Sequence, residues 1–317
     1  MKKSFYSNGK LLLTGEYLVL DGGTAIALPT NLGQSLEVES SSDKMLTWES
    51  LDFEGKTWYK GNFGLNQAGE FTSLQTGPWD PISEQLVKLL NSCLALKKGF
   101  AQVAMGNSVK TKLGFPRDWG LGSSSTLINN LAQWAEVNPF QLLDRGFGGS
   151  GYDIGCAFSD TPISYTKTAS GEPEMAPLKL DWLFMDELYF VHLNKKKDSK
   201  EGIRQYRDRS FELSPYLQKL NVLNGQFVGA LTIKAFNKVL QDHESMIAKL
   251  LGEQTVHEEL FPDYSLGAMK SLGAWGGDFI LVSGNDQTPD YFKSKGYNTI
   301  IPFEEMAIKK PPKYIQL

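Results

Sequence analysis

Cysteine is nearly missing from this 317-residue chain: Cys93 and Cys156 are the only two, so no disulfide framework can staple a small scaffold. Histidine is almost as scarce. His192, His243 and His257 show no CxxC, HExxH or paired Cys/His spacing, which argues against a protein-held zinc. No window approaches the roughly 18 uninterrupted apolar residues of a membrane span, so no membrane association is expected. The apolar run Leu11–Leu13 is too short for a signal-peptide core and leads into Thr14, Gly15 and Glu16, so a soluble, cytoplasmic protein is expected. Positive charge is not in excess either. The 32 Lys and Arg residues face 36 Asp and Glu, a formal charge of -4, which offers nucleic acid no global cationic field. Any anion must be held locally.

Glycine is what the chain has in plenty. Its 31 glycines make up about 10% of the residues, against an average of about 7%, so some backbone must be unusual. The length is roughly twice that of a typical domain, and with 41% hydrophobic residues it can fill two cores. The expected division is residues 1–185 and 186–317.

Short apolar runs at Leu11–Leu13, Tyr17–Leu20 and Thr24–Leu28 predict N-terminal strands. Ser35–Ser40 alternates and is followed by Met45–Trp48, as in a layer with one wet face. Pro81 opens a helical pattern through Ile82, Leu86, Leu89, Leu90 and Cys93, and a second begins after Ser125 with Leu127, Ile128, Leu131 and Trp134. Tyr189–Leu193 and Phe279–Val282 read as strands, and Phe227–Leu251 as one long helical pattern. Thr168–Pro177 is a candidate hairpin tip or a segment near the domain junction.

The segment Trp119-Gly120-Leu121-Gly122-Ser123-Ser124-Ser125-Thr126 stands directly before a predicted helix. Two glycines permit positive φ and close approach, successive N–H groups can converge on an anion, and the helix adds the positive end of its dipole. Four hydroxyls add oxygen ligands of the kind that suit Mg²⁺. A plain helix cap is the competing reading. The segment is neither a Walker A, which needs Lys before its final Ser/Thr, nor GxGxxG, since Ser125 takes the third glycine's place. A cation must come from elsewhere, and Lys10 at the mouth of an apolar strand is available, though lysines at strand starts are usually solvated. Gly148-Gly149-Ser150-Gly151-Tyr152-Asp153 sets a carboxylate among glycines, or is a turn with an Asp cap. Gly273-Ala274-Trp275-Gly276-Gly277-Asp278 precedes an apolar strand, as hairpin turns also do.

In order and spacing these segments, GKLLLTGEYLVL, GLGSSS and GAWGGD, resemble the three motifs of the GHMP kinase family, and the resemblance spans most of the chain. It implies an α+β protein with an S5-like N-terminal α/β domain, including a left-handed crossover, and a ferredoxin-like C-terminal domain. It further implies that Gly120, Leu121, Gly122, Ser123, Ser124 and Ser125 wrap the phosphates of ATP, with Ser124 as Mg²⁺ ligand. Gly273, Gly276 and Gly277 would close on the phosphate region. Asp153 matches the family aspartate proposed as base, and Lys10 the lysine near the transferred phosphate. Glu16, Tyr17, Ser150 and Gly151 would face a small-molecule acceptor.

GEY in the first motif and GSGYD around the aspartate resemble the family's phosphomevalonate kinases more than its mevalonate kinases. A phosphorylated, carboxylated acceptor would call on cations such as Lys110, Lys112, Arg117, Lys195 and Lys197. Two departures stand out. Trp275 replaces a family glycine, and the family's acidic metal ligand falls near Leu142, with Asp144 and Glu136 as the near substitutes. The expected protein is thus an ATP- and Mg²⁺-dependent kinase, monomeric or homodimeric, with no nucleic-acid or membrane partner. A diphosphomevalonate decarboxylase and a noncatalytic nucleotide- or sugar-binding homologue are the alternatives.

Overall fold

A computed structural model describes residues 2–75, 80–169, 171–195, 199–273 and 275–307. The chain forms two compact units, one from Met1–Gly9, Leu32–Arg117 and Leu121–Phe158, the other from Lys10–Asn31, Asp118–Gly120 and Ser159–Leu317. Two long paired strands, β1 (Lys2–Thr14) and β2 (Ala25–Ser40), contribute residues to both units.

The first unit is a sheet with helices packed on it. Its strands are the end of β2, β3 (Leu46–Leu51), β4 (Thr57–Leu65), β5 (Phe71–Ser73) and β6 (Asn107–Leu113), in spatial order β5-β4-β3-β6-β2. Alternation decides which face is wet: Val109, Thr111 and Leu113 of β6 are buried, while Ser108, Lys110 and Lys112 are exposed. β6 runs parallel to β3 and antiparallel to β2. A parallel neighbour requires a crossover, here supplied by α1 (Pro81–Leu96) and α2 (Phe100–Ala104). Asp80 caps α1 by accepting from the Ile82 and Ser83 amides, Pro81 fills its first turn, and Leu86, Leu89, Leu90 and Cys93 are buried in the unit's core.

Three more helices complete this unit: α3 (Ser123–Ala135), α4 (Pro139–Gly146) and α5 (Tyr152–Phe158), with α3 packed against both others. A buried polar seam fixes α3 on the strands. Ser7 Oγ donates to Asn130 at 2.8 Å, Asn130 Nδ2 to the Gln34 carbonyl at 2.9 Å, and Thr126 Oγ1 to Gln34 Oε1 at 2.7 Å. Such internally satisfied groups specify one rotation of the helix where apolar packing alone would tolerate several.

In the second unit the start of β2 pairs with β7 (Ile163–Thr166), which forms a hairpin with β8 (Glu174–Pro177). Thr168–Pro177 thus contains the hairpin tip and its returning strand. Then come β9 (Leu188–His192), α6 (Ser199–Arg207), α7 (Leu213–Val228), α8 (Ile233–Leu251), α9 (Val256–Leu260), β10 (Met269–Ser271), β11 (Phe279–Ser283), α10 (Thr288–Ser294), β12 (Ile300–Pro302) and α11 (Phe303–Met306). Strands β10-β11-β9-β12 form an antiparallel sheet, the order of a ferredoxin-like βαββαβ unit. The expected α+β fold with its ferredoxin-like part is observed.

Two local expectations differ from the structure. Tyr17–Leu20 is no strand: the Leu18 amide bonds the Glu16 carbonyl at 2.7 Å, and Leu18–Asp21 forms a 3-10 turn closed by Gly22. The pattern over 227–251 is interrupted between α7 and α8, because Thr232 turns extended and caps a new helix by accepting from the Ala235 amide.

Candidate active site

In the second unit Gly120 is where distant segments meet. Lys10, near the end of β1, extends its ammonium to the Gly120 carbonyl, with Nζ at 2.7 Å. On the other side lies Asp278: a Cβ built on Gly120 would fall 2.1 Å from Asp278 Oδ2. Together with a φ of +64°, that contact admits only glycine. The preceding Trp119 packs edge-on to Phe279 at 5.5 Å and beside His192 at 6.0 Å, which anchors the segment on β9 and β11. One residue from each of the three glycine-associated motifs therefore converges here.

Past Gly120 the chain enters the first unit, where Leu121 is fully buried and Gly122 is the N-cap of α3 with φ +86°. Glycine has no side chain with which to cap, and this N-cap position makes no side-chain cap bond. First-turn amides and the dipole of such a helix are groups that can take an anion. The four hydroxyls have different duties. Ser125 Oγ turns back to the Gly122 carbonyl at 2.8 Å and Thr126 is fully buried on Gln34, whereas Ser124 is exposed. Ser123 is half-buried.

Asp153 lies in the first turn of α5, with Oδ1 accepting from the Ile154 amide at 3.0 Å, and Ser150 and Gly151 lie just before that helix. Because α3 packs on α5, the Ser123–Ser125 turn and Asp153 belong to neighbouring helices of one unit. Of the third motif, Ala274 lies outside the described residues; Gly273 and Gly276 take positive φ, and Gly277 leads into Asp278.

Glu16 and Tyr17, expected to face the acceptor, are engaged inside the second unit. Glu16 is 1% exposed and Tyr17 7%. Glu16 Oε1 lies 2.5 Å from Lys270 Nζ, which also donates to the Ser271 carbonyl. Burial pushes the Glu16 carboxyl up to about 7, against the pull of Lys270. His243 Nε2 accepts from the Gly15 amide at 3.2 Å, and burial, then Lys270, hold this imidazole well below its usual range, so it is neutral. Glu244, also raised by burial, accepts from the amides of Ser271 at 2.9 Å and Val256 at 3.2 Å.

Solved structures share this architecture across nearly the whole chain. Streptococcus pneumoniae phosphomevalonate kinase in complex with phosphomevalonate and AMPPNP aligns at 17% identity and TM-score 0.64, covering 92% of this chain and 95% of its own. Lactococcus lactis galactokinase complexed with galactose aligns at 15% and 0.67, covering 97% and 93%. Methanococcus jannaschii mevalonate kinase aligns at 12% and 0.64, covering 95% and 97%. The chain has the GHMP kinase fold. No protein-family model matches the sequence, and no curated protein matches it.

Against that fold, the two departures in the sequence acquire definite places. Trp275 is 5% exposed, and its indole N–H donates to the Gln254 carbonyl at 3.2 Å, so the bulk is directed into the unit's interior. Glu136 sits at the C-cap of α3 and pairs with Lys97. Ser124 is at the other end of that helix, about 18 Å away at ~1.5 Å rise per residue. Leu142 is fully buried in α4. Among the described residues no three His, Cys, Asp or Glu side chains group as a metal cage. The exposed Ser124 hydroxyl is an oxygen donor of the kind that suits Mg²⁺.

The expected acceptor cations scatter. Lys110 lies 3.5 Å from Glu49 on the wet sheet face, which Lys112 shares, and Arg117 stacks 3.8 Å over Trp58. Lys195 is exposed, and Lys197 lies outside the described residues. Lys270, His243 and Glu244 carry no motif and were not anticipated. Their one sequence signal is Lys270 itself, a charge inside the run Ala268-Met269-Lys270-Ser271-Leu272.

Proposed function

We propose that this protein is an ATP-dependent small-molecule kinase of the GHMP family that phosphorylates mevalonate or phosphomevalonate. One observation carries the reading: Gly120, with Lys10 on its carbonyl and Asp278 against its α-carbon, leads through Leu121 into a helix whose N-cap is a glycine. A polyphosphate is the ligand that such first-turn amides and a helix dipole would complement. The amides of Gly122–Ser125 would bind the phosphate chain, and Gly273, Gly276 and Gly277 would cover it. Ser124 would ligate Mg²⁺, which when bound neutralises charge between the terminal phosphates.

Asp153, on the helix beside α3, would accept the acceptor hydroxyl's proton, a contribution of about 10²- to 10⁴-fold for a positioned base. Lys10 would orient the transferred group, and Ser150 and Gly151 would meet the acceptor. The partition into an ATP-binding stretch 1–185 and a ferredoxin-like stretch 186–317, and the cytoplasmic setting, belong to the same proposal. Among the described residues no helix is long and apolar enough to cross a membrane.

The test is ADP release from ATP and Mg²⁺ across a panel of mevalonate, phosphomevalonate, homoserine and sugars. ADP with a phosphorylated product supports the kinase. Carbon dioxide released with ADP indicates a decarboxylase instead, and tight AMPPNP binding without ADP indicates a noncatalytic binder.

A further inference from the structure

Tyr17 occupies a backbone conformation that few residues adopt. Its φ of 61° and ψ of -45°, with the Leu18 amide bonded to the Glu16 carbonyl, define the rare positive-φ form of the γ-turn. Strain of this kind persists only where the surroundings over-determine it. Here they do so from three sides. Glu16 is fixed by Lys270, while the Tyr17 ring stacks on Tyr206 at 5.6 Å with an interplanar angle of 26°. Tyr206 is itself held through its hydroxyl on Asp21 at 2.5 Å. Gly202 of α6 makes room for the phenol: a Cβ there would stand 2.7 Å from the Tyr17 hydroxyl.

The held oxygen has a specific partner. Tyr17 Oη accepts from the Trp275 backbone amide at 3.0 Å, inside the segment that begins at Gly273. The indole of the same residue is tied to the Gln254 carbonyl, so Trp275 is fixed at both its main chain and its side chain.

We propose that Tyr17 is a positioning residue: aimed by the buried Glu16–Lys270 pair, its hydroxyl sets the backbone of the third glycine-rich segment at Trp275, and through it nucleotide affinity. The bulky Trp275 is then part of the device, since its anchored indole keeps the amide in line with the phenol. Burial also keeps that phenol protonated, because it raises the Tyr17 hydroxyl above its usual range. The functional consequence rests on the kinase reading, but the mechanical link does not.

Tyr17→Phe keeps the ring and removes only the acceptor, so three measurements on the full chain separate the two levels. Hydrogen exchange should accelerate about tenfold at the Trp275 amide, with the helices of the first unit unchanged. AMPPNP binding by calorimetry should weaken about tenfold, the loss of one hydrogen bond, while the acceptor KM stays within about twofold. Unaltered exchange at Trp275 overturns the proposal whether or not nucleotide binds. Equal AMPPNP affinity in the two proteins, with a raised acceptor KM, overturns it too, since the hydroxyl would then touch the acceptor. If the wild-type protein binds no AMPPNP, the kinase reading fails and the exchange result alone decides the positioning role.

Discussion

Replacing Lys270 by Met removes the ammonium 2.5 Å from Glu16 Oε1 and leaves a carboxyl that is 1% exposed without its counter-charge. Burial already raises Glu16 from an ordinary 4.5 to about 7, and the attraction of Lys270 is the main force holding it there. In Lys270→Met the carboxyl therefore folds protonated well above neutral pH. A carboxyl whose folded pKa exceeds its unfolded one binds more protons when folded, so stability falls as pH climbs through the interval between them. Wild type and variant share that slope from about pH 4.5 to 7. Above 7 the wild-type curve flattens, because Glu16 has ionised against Lys270, while the variant goes on losing about 1.4 kcal/mol per pH unit. The gap should widen by about 2 kcal/mol from pH 7 to 9. His243 is neutral throughout that range, and Glu244, whose carboxyl Lys270 also pulls down, loses that attraction in both Lys270→Met proteins, so a double variant isolates the Glu16 part. Urea unfolding followed by circular dichroism at pH 7, 8 and 9 measures the gap, with Glu16→Gln/Lys270→Met as a control lacking the Glu16 contribution. A gap that stays constant from pH 7 to 9 would mean that Lys270 does not govern the ionisation of Glu16.

Other outcomes follow from the same contacts. His243→Gln preserves an acceptor for the Gly15 amide but cannot titrate; since the folded imidazole stays neutral where the unfolded one charges, the wild-type advantage should shrink by about 1.4 kcal/mol per pH unit below pH 6.5. Acid-range unfolding titrations of both proteins check this. Gly120→Ala should abolish AMPPNP binding in calorimetry and cost at least ~2 kcal/mol, because positive φ and the Asp278 contact are both violated. Ser125→Ala should cost about 1 kcal/mol through the lost bond to Gly122, whereas Ser124→Ala should leave stability within ~0.5 kcal/mol and reduce turnover most at limiting Mg²⁺. Thermal melts and Mg²⁺ titrations of ADP release distinguish that pair.

The parts of the protein that were legible in sequence are those whose cause is local. Pro81 after Asp80, the apolar spacing from Leu86 to Cys93, and the glycines around Ser123 all act within one turn of their own backbone. The same locality misled at Tyr17–Leu20, where an apolar run imitates a strand while the Glu16–Lys270 pair, 254 residues apart, holds a γ-turn. Four neighbouring hydroxyls looked equivalent until Gln34 and the Gly122 carbonyl took two of them. Lys270 was invisible for a similar reason: a lysine in a strand is ordinarily solvated, and only the fold brings Glu16 into its path.

The proposed kinase holds its polyphosphate on the main-chain amides at the start of α3. A crystal structure with AMPPNP and Mg²⁺ decides this. The triphosphate is expected on the amides of Gly122–Ser125, with Ser124 on the metal. A triphosphate bound elsewhere, with the first turn of α3 still facing water, would contradict it.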